Sequence, residues 1–145
     1  MRISIAADHA GYPLKERIKQ ALIAAGHQVL DRGCHSEEPV DYPDYGILAA
    51  QDVSEHTADR AVLICGSGIG MCIVANKVRG VRASLCSDPE YALMSRRHND
   101  ANVLTLGARF LEPELALKIV NIWLNTPFDG GRHKRRVDKI RECGD

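Results

Sequence analysis

Apolar and polar positions fall along this chain in two alternating rhythms. Short apolar runs occupy Arg2–Ala6, Gln28–Asp31, Ala61–Cys65, Arg82–Cys86 and Val103–Leu106, and each predicts a strand. The third, Ala-Val-Leu-Ile-Cys, is apolar on consecutive positions, as a strand buried on both faces must be. Between the runs lie segments with helical spacing. Over Pro13–Ala25 the residues Leu14, Ile18, Leu22 and Ala25 share one face, with Gly26 as the stop. Further helices are predicted over Tyr45–Ser54, Ile69–Val78 and Pro113–Leu124. One more is capped by Ser87 or Asp88 with Pro89 in its first turn, and a last one runs from about Arg132 to Cys143.

Strands alternating with helices predict a parallel sheet covered on both faces. The expectation is an α/β, single-domain, Rossmann-like three-layer sandwich over residues 1–145, with five strands in the order 2-1-3-4-5. In that order the switch point lies between strands 1 and 3, where such sheets bind ligands beyond the strands' carboxyl ends. The loops that meet there are Asp8-His9-Ala10-Gly11 and Gly66-Ser67-Gly68-Ile69-Gly70.

Composition narrows the chemistry. Lys plus Arg and Asp plus Glu are equal at 19 each, so the whole chain has no pull toward nucleic acid or a membrane surface. Any anion is gripped locally. No apolar run is long enough to span a bilayer, and the first residues enter a strand without a charged-then-apolar leader, so a cytoplasmic protein is expected. The five cysteines, Cys34, Cys65, Cys72, Cys86 and Cys143, form no C-x-x-C pair and suggest neither a disulfide framework nor zinc. His27, His35, His56 and His133 have no ligand spacing, so no metal is expected.

In Cys65-Gly66-Ser67-Gly68-Ile69-Gly70 three glycines leave backbone N–H groups uncovered, able to hold a phosphate or a developing oxyanion. The loop lacks the Lys-Ser/Thr of a P-loop, and Met71 stands where a dinucleotide fingerprint needs glycine. The bland alternative is a tight strand-to-helix turn. The other four cysteines read as small buried hydrophobes; Cys65, opening the loop, is either another of these or, with its thiolate favoured by the helix N-terminus, a base or nucleophile. His98 ends the fourth helix, where it would also meet the helix dipole. Arg132 and Arg136, four apart on one helical face, suit a single phosphate; a solvated basic helix is the alternative.

With these motifs in place the chain resembles the type B ribose-5-phosphate isomerases and the related allose- and galactose-6-phosphate isomerases. The likeness runs from Ala7-Asp8-His9-Ala10-Gly11 through Asp41-Tyr42-Pro43-Asp44-Tyr45, the Cys65 loop, Ala75-Asn76-Lys77, Ser95-Arg96-Arg97-His98-Asn99-Asp100 and Gly107-Ala108-Arg109 to Gly130-Gly131-Arg132-His133. It implies an aldose–ketose isomerase of the pentose phosphate pathway that needs no cofactor. In it Cys65 is the base, Ser67 assists proton movement between oxygens and His98 opens the sugar ring. Gly66, Gly68, Ile69 and Gly70, with Asn99, hold the enediolate, and Asp8 and Tyr42 meet sugar hydroxyls. His9, Arg109, Arg132 and Arg136 hold the phosphate. It also implies a homodimer or tetramer with sites between subunits, to which the neighbour gives His98, Asn99 and Arg109. An allose or galactose 6-phosphate is the alternative substrate. A nucleotide-binding or signalling module on a similar sheet is the rival of another class, and a third strand ending in Cys65, not aspartate, speaks against a phospho-acceptor.

Overall fold

A computed structural model describes residues 1–144; Asp145 lies outside them. Five strands, β1 (Arg2–Ala7), β2 (Gln28–Asp31), β3 (Arg60–Cys65), β4 (Ala83–Leu85) and β5 (Val103–Gly107), pair in parallel throughout. They are joined by α1 (Tyr12–Ala24), α2 (Tyr42–Ser54), α3 (Ile69–Ala75), α4 (Pro89–Asn99) and α5 (Pro113–Asn125), and α6 (Arg132–Arg141) follows. The three-layer α/β sandwich is as expected from the alternation.

The strand order is β2-β1-β3-β5-β4, so the expected places of the last two strands are exchanged. Burial gives the reason. Every residue of β5 is buried, which fits an inner position, whereas the three residues of β4 are half-exposed and take the edge. Right-handed crossovers then put α1, α4 and α5 on one face and α2 and α3 on the other. Two apolar layers follow from this. Ile3, Ile5, Ile18, Val62, Ile64, Leu104, Leu106, Ile119 and Trp123 fill one, and Ala49, Ala50, Val53, Leu63, Met71, Ala75 and Val103 the other.

Helix α2 starts three residues earlier than the spacing predicts, because Pro43 sits in its first turn, where a missing N–H costs nothing. Asp88 caps α4, accepting the Tyr91 N–H at 3.1 Å. The edge strand is closed by a side chain: Asn76 donates to the Ala83 carbonyl at 3.0 Å and accepts the Ala83 N–H at 2.9 Å. At the opposite edge, fully buried Lys15 reaches Asp31 at 2.7 Å and Glu16 at 3.0 Å. Burial would raise the Asp31 carboxyl, but Lys15, Lys19 and the Gly33 N–H outweigh it and hold it at about 2.

Candidate active site

The exchange at the sheet edge leaves the switch point intact. β1 and β3 are neighbours, and the loops that follow them touch: the Asp8 N–H donates to the Ile64 carbonyl at 3.1 Å. Asp8 is buried, and its Oδ1 accepts the Gly11 N–H at 3.0 Å, which fixes the carboxylate at the loop. His9 accepts the Val40 N–H on Nδ1 at 3.1 Å, so its ring proton stays on Nε2, free to donate.

Cys65 ends β3 and is buried, and the Gly68 N–H donates to its sulfur at 3.2 Å. Charge that gathers on Sγ therefore meets a donor. Gly68 has φ +78, which lets the backbone turn from strand into α3. Ser67 Oγ accepts the Ile69 N–H at 3.2 Å. Among the described residues the N–H groups of Ser67 and Gly70 have no protein partner. Two large side chains close over the loop. Any Cβ on Gly70 would lie 2.5 Å from the Tyr42 ring, and one on Gly66 would lie 2.9 Å from the Arg109 guanidinium. Glycine at these positions is what lets Tyr42 and Arg109 lie on the backbone.

Arg109 belongs to this half because of strand register. Cys65 pairs with Gly107 on β5, so the chain beyond β5 emerges beside the loop, and the Arg109 N–H donates to the Gly66 carbonyl at 3.0 Å. The expectation that Arg109 travels with His98 and Asn99 is corrected here: it lies on the glycine loop of its own chain.

His98 and Asn99 lie elsewhere. α4 starts beyond the carboxyl end of β4 and runs back, so its last turn sits at the amino edge of the sheet. There the Asn102 carbonyl accepts the Ala61 N–H at 3.1 Å. The length of β3, roughly 16 Å at the rise of an extended chain, separates that edge from Cys65. Arg132 and Arg136 are also at this end. The Asp129 N–H donates to the Arg97 carbonyl at 3.0 Å, the Asp129 carboxylate pairs with Arg97 at 3.1 Å, and His133 stacks on His98 with centroids 4.2 Å apart. The expected residues thus form two groups on opposite edges of one chain: Asp8, His9, Tyr42, Cys65, Gly66, Ser67, Gly68, Ile69, Gly70 and Arg109, and then His98, Asn99, Arg132 and Arg136.

His133, Asp129 and Arg97 join the second group although no spacing marked them. Only the packing of α6 on α4 brings them to His98. Loss of hydration, then His98, Arg132 and Arg136, push the His133 imidazole below its ordinary value against the pull of Asp129. His98, Asp129 and His133 are the one group among the described residues whose donor atoms all approach within 4.8 Å. Asp129 is engaged by Arg97, and Arg132 and Arg136 flank the rings, so the surroundings suit an anion better than a cation. Of the cysteines expected to be core, Cys34 and Cys86 are buried, Cys72 is half-buried and Cys143 is exposed. Cys143 stands two residues beyond α6, with no layer above it.

Comparison with known proteins decides the family. The model of the Ribose/Galactose Isomerase family matches residues 3–140. The chain belongs to that family. It is 45% identical to ribose-5-phosphate isomerase B of Escherichia coli over 139 residues, covering 96% of this chain and 93% of that one. The structure of ribose-5-phosphate isomerase B from Clostridium thermocellum superposes with a TM-score of 0.96 at 50% identity, covering 98% of this chain and 96% of the other. That of the Mycoplasma genitalium enzyme with bound ribulose-5-phosphate gives 0.94 at 42% identity, covering 97% and 94%. This family member is an isomerase. Among the described residues no helix is long and apolar enough to cross a membrane.

Proposed function

We propose that this isomerase interconverts ribose 5-phosphate and ribulose 5-phosphate through an enediolate, in sites that two copies of the chain build together. The observation that carries the proposal is Cys65 Sγ, held at 3.2 Å by the Gly68 N–H beside the open donors of Ser67 and Gly70. Isomerisation requires a base at the carbon next to a carbonyl and donors where the oxygen gains charge. Cys65 as thiolate takes the C2 proton of the open-chain aldose and returns it to C1. Meanwhile the Ser67 hydroxyl passes a proton between the two oxygens, and the N–H groups of the loop hold the enediolate with Asn99. Protons alone move, so no oxidant or reductant enters.

Asp8 and Tyr42 meet sugar hydroxyls in this reading. His9 through Nε2–H, Arg109, Arg132 and Arg136 grip the phosphate, whose binding energy is used to position the reacting carbons. His98 opens the ring. Since His98, Asn99, Arg132 and Arg136 lie at the opposite end of the sheet from Cys65 within one chain, they serve the Cys65 of a second copy. Exposed apolar side chains on elements flanking β4, Ile69 and Ile73 of α3 and Tyr91 of α4, supply surface for that association.

The test follows ribose 5-phosphate by NMR with a chelator present, for the wild type and Cys65→Ala. The expected result is rapid formation of ribulose 5-phosphate by the wild type and none by a folded variant that still binds the sugar phosphate. A fully active variant would remove Cys65 from the role of base. An inactive wild type would reject the pentose and turn the search to allose and galactose 6-phosphates.

A further inference from the structure

The half of the site at the amino edge rests on one residue outside the machinery above. Asp100 follows His98-Asn99 directly, caps α4 and has φ 47, in the left-handed region. Its Oδ1 accepts from Arg96 Nη1 at 2.9 Å and its Oδ2 from Arg82 Nη2 at 3.3 Å, and Arg141 of α6 approaches Oδ2 at 3.9 Å. The Asp100 carbonyl accepts from Arg82 twice, at 3.1 and 2.8 Å, and the Asn99 carbonyl once, at 3.1 Å. Buried Arg96 ties the same point to the start of the α5–α6 connection through the Thr126 carbonyl at 3.2 Å.

Three guanidinium groups, from α4, the approach to β4, and α6, therefore converge on one carboxylate. A fourth, Arg60, lies close enough that the Asp100 charge supports its protonation, although burial and Arg96 bring it down to about 10. Remove the negative charge and the cations face one another with only neutral carbonyl oxygens to hold them. Arg141 is the most exposed of the three that approach Asp100, so α6 is the element free to move away. Arg97 of α4 also holds Asp129 in the connection just before α6, through the ion pair and the backbone bond, and the His98–His133 stack joins α4 to α6 directly.

We propose that Asp100 is a positioning residue, whose carboxylate holds α6 against the end of α4 so that His98, Asn99, Arg132 and Arg136 reach a second copy's Cys65 as one rigid set. The inference rests on the shared site proposed above. It assigns Asp100 no contact with substrate.

Asp100→Asn tests it, since asparagine keeps the size and tolerates the left-handed backbone. The expected loss in kcat/KM for ribose 5-phosphate is roughly tenfold to a hundredfold, the cost of a misplacement near 1 Å. KM should rise, and inorganic phosphate should inhibit more weakly. Mixed oligomers supply the readout that a general loss of stability would not give. Cys65→Ala mixed with His98→Ala should regain activity, because one site in each mixed pair is intact. Asp100→Asn should likewise regain activity with Cys65→Ala but not with His98→Ala. If the Cys65→Ala and His98→Ala mixture recovers while the Asp100→Asn and Cys65→Ala mixture does not, the positioning role is overturned and the shared site stands. If the first mixture stays dead, the shared site falls, and with it the role assigned to Asp100. Wild-type kcat/KM in unmixed Asp100→Asn also overturns the inference. Should that variant fail to fold, Arg141→Gln, which cuts the α6 tether together with the exposed Asp138 contact inside α6, must give the same pattern with a smaller loss.

Discussion

Alanine at Gly70 should separate activity from stability. The added Cβ would lie 2.5 Å from Tyr42 Cζ and 2.6 Å from Cε2, where ordinary contact begins at 3.4 Å. The ring must therefore retreat by about 1 Å, a displacement that costs as much as a hundredfold when it misplaces a substrate contact. Tyr42 is 37% exposed and can swing outward without compressing the core. Alanine in a helix is itself favoured over glycine by about 1 kcal/mol. Net stability should hence stay within about 1 kcal/mol of the wild type, or roughly 3 °C in Tm. Gly107→Ala is the contrast. Its Cβ would lie 2.5 Å from the Ser67 carbonyl oxygen and 2.6 Å from the carbon, backbone against backbone with no side chain to yield. About 2 kcal/mol and roughly 6 °C should be lost, together with activity. The single tryptophan, Trp123, is fully buried, so its fluorescence follows unfolding while NMR follows turnover. Full activity in Gly70→Ala, or a loss of stability as large as that of Gly107→Ala, would refute the placing of Tyr42 as a yielding wall of the site.

Two further outcomes are expected. If His98 opens rings, His98→Ala should lose about a hundredfold or more on ribose 5-phosphate. It should lose little on erythrose 4-phosphate, whose esterified O4 forbids a furanose; equal losses on both sugars would refute the role. Lys15→Met removes a fully buried ammonium from Asp31 and should cost about 2 kcal/mol at neutral pH, with Lys19 left as partner. Because the folded carboxyl is depressed, the contribution of Asp31 is complete above 3.8 and is lost as pH falls toward about 2. Denaturant titrations should then show the gap between variant and wild type closing across that window. A constant gap would show that the charge on Asp31 is not what Lys15 stabilises.

Much of this was legible in the chain. Continuous apolar runs marked the inner strands, and the glycines around Cys65 marked the loop, because both are local consequences of burial and backbone clearance. The order of the last two strands was not, since it depends on a comparison: Val-Leu-Thr-Leu outcompetes Ala-Ser-Leu for an inner place. Spacing also could not say which edge of the sheet each residue reaches. The register of Cys65 with Gly107 sends Arg109 to the loop, and the return path of α4 carries His98 away from it. Asp129 and His133 acquire their surroundings only when α6 folds onto α4.

The Asn76 side chain that occupies both outward groups of Ala83 has a consequence for how copies of this chain can meet. An open parallel edge is a template on which identical strands can stack without limit, into fibrils as readily as into dimers. Here the amide imitates the missing sixth strand at one residue and ends the ladder. Backbone pairing is thereby blocked at Ala83, and a second copy that approaches this flank there meets a side chain in place of an open ladder.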